Sequence, residues 1–137
     1  EPAIAGEAAM RRSAMNMAGL DKAVANINAA HDGRAFLAAY HDFWVGVAAA
    51  SGNALFGLPI PALAAIGRSG GLASTEDGRR RAHMLCNRIR SAIGACDCVA
   101  ATRAVEDLHA MITEIITLRY SGRLPRTFSW ADVREIL

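Results

Sequence analysis

The sequence predicts an all-α domain: an antiparallel bundle of about six helices followed by a C-terminal tail helix. Three observations predict it. Alanine fills 29 of 137 positions and proline only four, and Ala has the best helix propensity because ordering it loses no side-chain entropy. Apolar residues recur at three- and four-residue intervals, the repeat that puts them on one face of a helix. Helix start and stop signals fall between these runs. The length suits one domain, read as residues 1–122, with 123–137 as a tail leading out of it. A hydrophobic fraction of 53% excludes intrinsic disorder, and a net charge of +2 excludes polyanion binding by bulk electrostatics.

The elements follow in order. Pro2 suits a first helical position, where a missing N–H costs nothing, so a helix is expected from Ala3 to Ala18, ended by Gly19. A second, shorter helix from Asp21 buries Val24 and Ile27 and stops at Gly33, read as a left-handed cap. A third covers Arg34 to Ser51. Phe36, Tyr40, Phe43, Val47 and Ala50 share its inner face, and Gly52-Asn53 closes it. Ala54 to Ile66 is apolar but carries Pro59 and Pro61, which predicts a kinked or broken helix, with a loop over Arg68 to Gly71. Ser74 and Asp77 resemble a capping box for a helix reaching Gly94, with Leu85, Ile89, Ala92 and Ile93 inward. Asp97 caps a long helix to Ser121-Gly122, whose stripe is Val105, Leu108, Ile112 and Ile115. Beyond Pro125, Ser129 and Asp132 could cap a last short helix, Trp130 to Leu137. Phe128 and Trp130 are expected to pack on the bundle or on a partner.

Composition narrows the function classes. Cys86, Cys96 and Cys98 are too few for a disulfide scaffold, and C-x-C is not the thioredoxin C-x-x-C, so reduced thiols in a cytoplasmic protein are expected. Phe43 to Gly67 lacks a formal charge, but Ser51-Gly52-Asn53 and the two prolines divide it, so two buried helices explain it better than a membrane span. The Arg79-Arg80-Arg81 run reads as a solvated first helical turn. No G-x-S-x-G, no H-E-x-x-H and no Gly-rich phosphate loop occurs. His83 and Cys86 stand one turn apart but lack an orienting third group. An enzyme is not expected.

The opening EPAIAGEAAMRR, then Tyr40-His41-Asp42-Phe43-Trp44 followed by Ala50-Ser51-Gly52-Asn53, then Ile89 and Ala92 to Asp97 with Ala101, form an ordered set. This set resembles the FCD domain, the effector domain of FadR-type GntR transcription regulators, over residues 1 to 120. The resemblance implies an effector-sensing, homodimerising domain. It also implies a preceding winged helix-turn-helix that contacts DNA; this sequence starts at the first effector-domain helix, so DNA binding is expected only through a segment absent from the chain.

Most such domains hold a divalent cation through one Asp and three His on three helices. Residue by residue, those ligands fall on Tyr40, Trp44, Cys86 and Leu108, all substituted. His41 and His109 each lie one residue from a ligand position, and a one-residue shift in both helices would return them to the site; His31 sits at a helix end. As aligned, no metal and no cofactor are expected. The same four residues would line an apolar pocket for an apolar or aromatic effector, with the Tyr hydroxyl and Trp N–H as polar handles. Asn53 and Arg90 are candidates for a rim hydrogen bond and a carboxylate partner. The alternative is that Tyr40 and Trp44 fill the cavity, leaving a dimerisation module without an effector.

Overall fold

The computed structural model describes residues 2–58, 60 and 75–119. Within them lie five α-helices and no strand: α1 (Pro2–Arg11), α2 (Ala14–Ala29), α3 (Gly33–Ala50), α4 (Glu76–Gly94) and α5 (Cys98–Arg119), with a 3-10 turn at Ala54–Gly57 after α3. The expected loop at 68–71, the Ser74 cap, the helix end at 121–122 and the tail with Phe128 and Trp130 lie outside the described residues, as does most of the proline-broken segment.

The first expected helix is two. The chain breaks at Arg12-Ser13, because Ser13 and Asn16 cap α2 reciprocally: the Asn16 N–H donates to Ser13 Oγ (3.1 Å) and the Ser13 N–H to Asn16 Oδ1 (2.9 Å). Gly19 then lies inside α2, a position that costs only about 1 kcal/mol relative to Ala. Gly33 is not a left-handed cap either. It opens α3, whose N-cap Asp32 accepts the Ala35 N–H at 2.8 Å. At α4 the observed cap is Thr75, whose Oγ1 accepts the Gly78 N–H at 3.0 Å.

Short joints make two hairpins, α2–α3 and α4–α5. Ion pairs Arg81–Glu114 (2.6 Å) and Arg88–Asp107 (3.0 Å) fix the second as antiparallel, since position rises along α4 as it falls along α5. α1 lies against α5, α3 and α4, and α2 against α4. Arg12, just past α1, donates to the Gly94 carbonyl (2.9 Å) and so satisfies an otherwise orphaned end of α4.

The core gathers the apolar stripe of each helix. Leu20, Phe36, Phe43, Val47, Cys86, Ile89, Ile93, Val105 and Leu108 are fully buried. Val24, Ile27 and Ala92 are buried as expected, while Leu85, Ile112 and Ile115 pack at its margin only partly buried.

The α4–α5 joint concentrates several backbone demands. The Cys96 N–H donates to Ile93 O (3.1 Å) and the Asp97 N–H to Ala92 O (3.0 Å), the paired bonds that close a helix through a left-handed residue. That residue is Cys96, at φ 59°. Asp97 also starts α5, accepting the Ala100 N–H on Oδ1 at 2.9 Å, as the sequence predicts. A side chain in left-handed backbone costs about 1 kcal/mol where glycine costs nothing. Cys96→Gly is therefore expected to stabilise the fold by about 0.5–1 kcal/mol, read as a higher urea midpoint at unchanged slope.

Candidate functional site

Helix α3 carries an aromatic row because its aromatic residues recur every three or four positions. Tyr40 stacks on Phe36 (centroids 5.8 Å, 16° between planes) and meets Trp44 edge-on (6.3 Å, 80°). Trp44 in turn meets Phe43 edge-on at 5.8 Å and 77°. Phe36 and Phe43 are buried, whereas Tyr40 and Trp44 are only partly buried against the core edge. Cys86 on α4 and Leu108 on α5 are fully buried members of the same core cluster.

Of the six sequence candidates, the structure brings Tyr40 and Trp44 into direct contact and sets Cys86 and Leu108 in the core they border. The other two are engaged elsewhere. Exposed Asn53 caps the 3-10 turn, its Oδ1 accepting the Leu55 N–H at 3.1 Å. Arg90 pairs through Nε with Asp21, tying α4 to α2.

The positions that would hold a cation do not fit one. Tyr40, Trp44 and Leu108 form no ligand set, and burial pushes the Cys86 thiol well above its ordinary value, keeping it protonated. No group of three or more His, Cys, Asp or Glu among the described residues is arranged to take a metal ion. His41 Nδ1 and His83 Nε2 are buried ring atoms without a hydrogen-bond partner, yet they do not complete such a group.

Several surface charges are paired. Arg80 binds Asp77 (2.5 Å) and Arg81 binds Glu114, so both of these arginines are internally neutralised. An open groove of about 400 Å³ lies on the N-terminal half of α5, lined by Cys98, Val99, Thr102, Arg103 and Glu106. The sequence reading missed this groove and the left-handed Cys96; neither Gly nor Asn stands at position 96 to signal a left-handed cap.

Two carboxylates set an acid dependence. The Arg90 side-chain hydrogen bond holds Asp21 below its ordinary value of 3.8, and the Ala35 N–H, helped by Arg34 and Arg79, does the same for Asp32. A lowered folded-state value means that the stabilisation is complete above 3.8 and is lost as pH falls through the lower folded value. Both groups are exposed, so the effect is small and screened by salt. Urea midpoints should fall on acidification below that point, and Asp21→Asn should flatten part of the fall.

Among the described residues no helix is long and apolar enough to cross a membrane. No family model, curated protein or solved structure matches this chain.

Proposed function

We propose that this chain is the ligand-sensing and dimerisation domain of a cytoplasmic FadR-type transcription regulator, with a metal-free apolar effector site walled by Tyr40 and Trp44. The observation that supports this reading is the uneven burial of the α3 aromatic row. Phe36 and Phe43 are sealed in the core, while Tyr40 and Trp44 are only partly buried against the core cluster that also contains Cys86 and Leu108. Two amphipathic rings at the edge of an apolar core offer a large contact face with one O–H and one N–H to orient a ligand. An effector acts by differential affinity for two relative placements of the DNA-binding heads in a homodimer.

A second reading has its own observation. Tyr40 is already stacked on Phe36 and Trp44 already meets Phe43, so the rings partly satisfy one another, as they would in a dimerisation module with a filled core and no effector.

Native mass spectrometry of the purified protein, against a denatured reference, tests both. A dimer carrying a small apolar or aromatic molecule that is released on denaturation is the expected result. Trp44→Ala should then weaken that molecule's binding about tenfold or more, as truncation of an aromatic anchor does. A ligand-free dimer would favour the filled core, and a bound divalent metal would overturn the metal-free site.

A further inference from the structure

The three thiols of this chain differ sharply in setting. Cys86 is sealed in the core, while Cys96 is exposed and Cys98 partly buried, and all are free. The last two flank Asp97 at the α4–α5 joint. Among the described residues Cys96 is the one non-glycine residue at positive φ, in the place where a helix ending of this type usually carries glycine. Cys98 begins α5, with its Cβ turned toward Gly6 of α1. It also lines the open groove beside Thr102 and Arg103, which gives a small molecule access to this end of the joint.

We propose that Cys96 and Cys98 are a reversible intrachain disulfide site, oxidised by a small-molecule disulfide of the glutathione type. Residues two apart have Cα atoms within about 7 Å of each other even in a fully extended chain. That limit overlaps the Cα separation of about 4.4–6.8 Å that a disulfide bridges. The joint therefore keeps the two cysteines within bridging range of one another, and closing the bond requires the backbone at Asp97 to turn their Cβ atoms together.

The exchange balances in two steps. The Cys96 thiolate attacks one sulfur of glutathione disulfide, forming a mixed disulfide and releasing one glutathione thiolate. The Cys98 thiolate then attacks the Cys96 sulfur, forming the intrachain bond as the second glutathione leaves. The protein loses two hydrogens, and one glutathione disulfide becomes two glutathiones. Cys86 takes no part, because its buried thiol stays protonated and out of reach of solvent. The ring so formed encloses Asp97, the residue whose N–H closes α4 on Ala92 O and whose carboxylate caps α5 at Ala100. Oxidation thus acts on the joint that sets the α4–α5 hairpin.

The test incubates the intact reduced protein with oxidised glutathione, blocks remaining thiols by alkylation, and digests with trypsin without reductant. Cleavage after Arg90 and Arg103 leaves Cys96 and Cys98 on one peptide, 91–103, and Cys86 on another, 82–88. Peptide 91–103 should be lighter by two hydrogens and unalkylated, and dithiothreitol should restore it. Cys98→Ser should instead trap a single glutathione on Cys96, and Cys96→Ser should abolish the light peptide. Two glutathiones on the wild-type peptide, or a peptide left doubly alkylated while Cys98→Ser accepts glutathione at Cys96, would overturn the proposal.

Discussion

Phe43→Ala should lower stability by about 3–5 kcal/mol, the cost of removing a fully buried phenylalanine that its neighbours cannot collapse to replace. The ring has no solvent exposure and lies on the inner face of α3, the helix that packs against both α2 and α1. Its edge-on contact with Trp44 adds a directional component to the lost burial. A domain of this size is stabilised by only about 5–15 kcal/mol, so this one change removes from about a fifth of the total to nearly all of it. It should appear as a lower urea midpoint at unchanged slope and a melting temperature lower by about 10–20 °C. Tyr40→Phe, on the same row but at the core edge, removes one hydroxyl and should cost far less. If both substitutions cost about the same, the division of the row into a sealed half and an edge half is wrong, and the aromatic-wall reading loses its support.

That division also marks how far the sequence could be read. The α3 spacing identified the inner face correctly because five apolar positions agree with one another, and periodicity averages over single exceptions. It could not distinguish Tyr40 from Phe43, since all five positions share a face and the distance of each from the core edge depends on where the neighbouring helices, α2 and α1 above all, dock. Helix ends were harder. The end expected at Gly19 passed over Ser13, where the outcome turned on the Asn16 side chain reaching back to the Ser13 N–H. The more familiar capping partner, Glu or Gln, is absent, so the pattern did not stand out. Gly33 looked like the left-handed residue of its joint, yet Asp32 supplies the cap and the glycine is helical. The left-handed role at the next joint fell instead to Cys96, against its propensity.

Asn53 and Arg90 illustrate the same limit at the candidate site. Both were sensible rim groups by residue type, but each has a nearer partner, the Leu55 N–H and the Asp21 carboxylate respectively. A polar side chain follows the first geometrically available partner, and a partner on another helix cannot be seen from one stretch of sequence. The aromatic pair was legible for the opposite reason, because Tyr40 and Trp44 lie one helical turn apart and their contact is local.

Gly6→Val should destabilise the fold by about 3 kcal/mol or more, through a close approach of α1 to α5. A Cβ built on Gly6 would stand 3.1 Å from Thr102 Oγ1 and within 4 Å of the Cys98 backbone oxygen and Cβ. α1 can lie this close because the residues it buries besides Ile4 are Ala5, Gly6, Ala8 and Ala9. Valine adds two γ-carbons held in one rotamer, and backbone on the opposite helix cannot move aside without shifting α5. Gly6→Ala is the informative companion. Alanine should gain about 1 kcal/mol of helix propensity and lose a similar amount against Thr102, leaving the single substitution near neutral. Removing the obstacle separates the two effects: with Thr102→Ala as background, Gly6→Ala should become stabilising by about 0.5–1 kcal/mol. A coupling energy of that size from the four urea midpoints would locate the contact at this pair of residues. Strict additivity would mean that α1 and α5 are farther apart than the geometry requires, and the severe cost expected for Gly6→Val should then disappear as well.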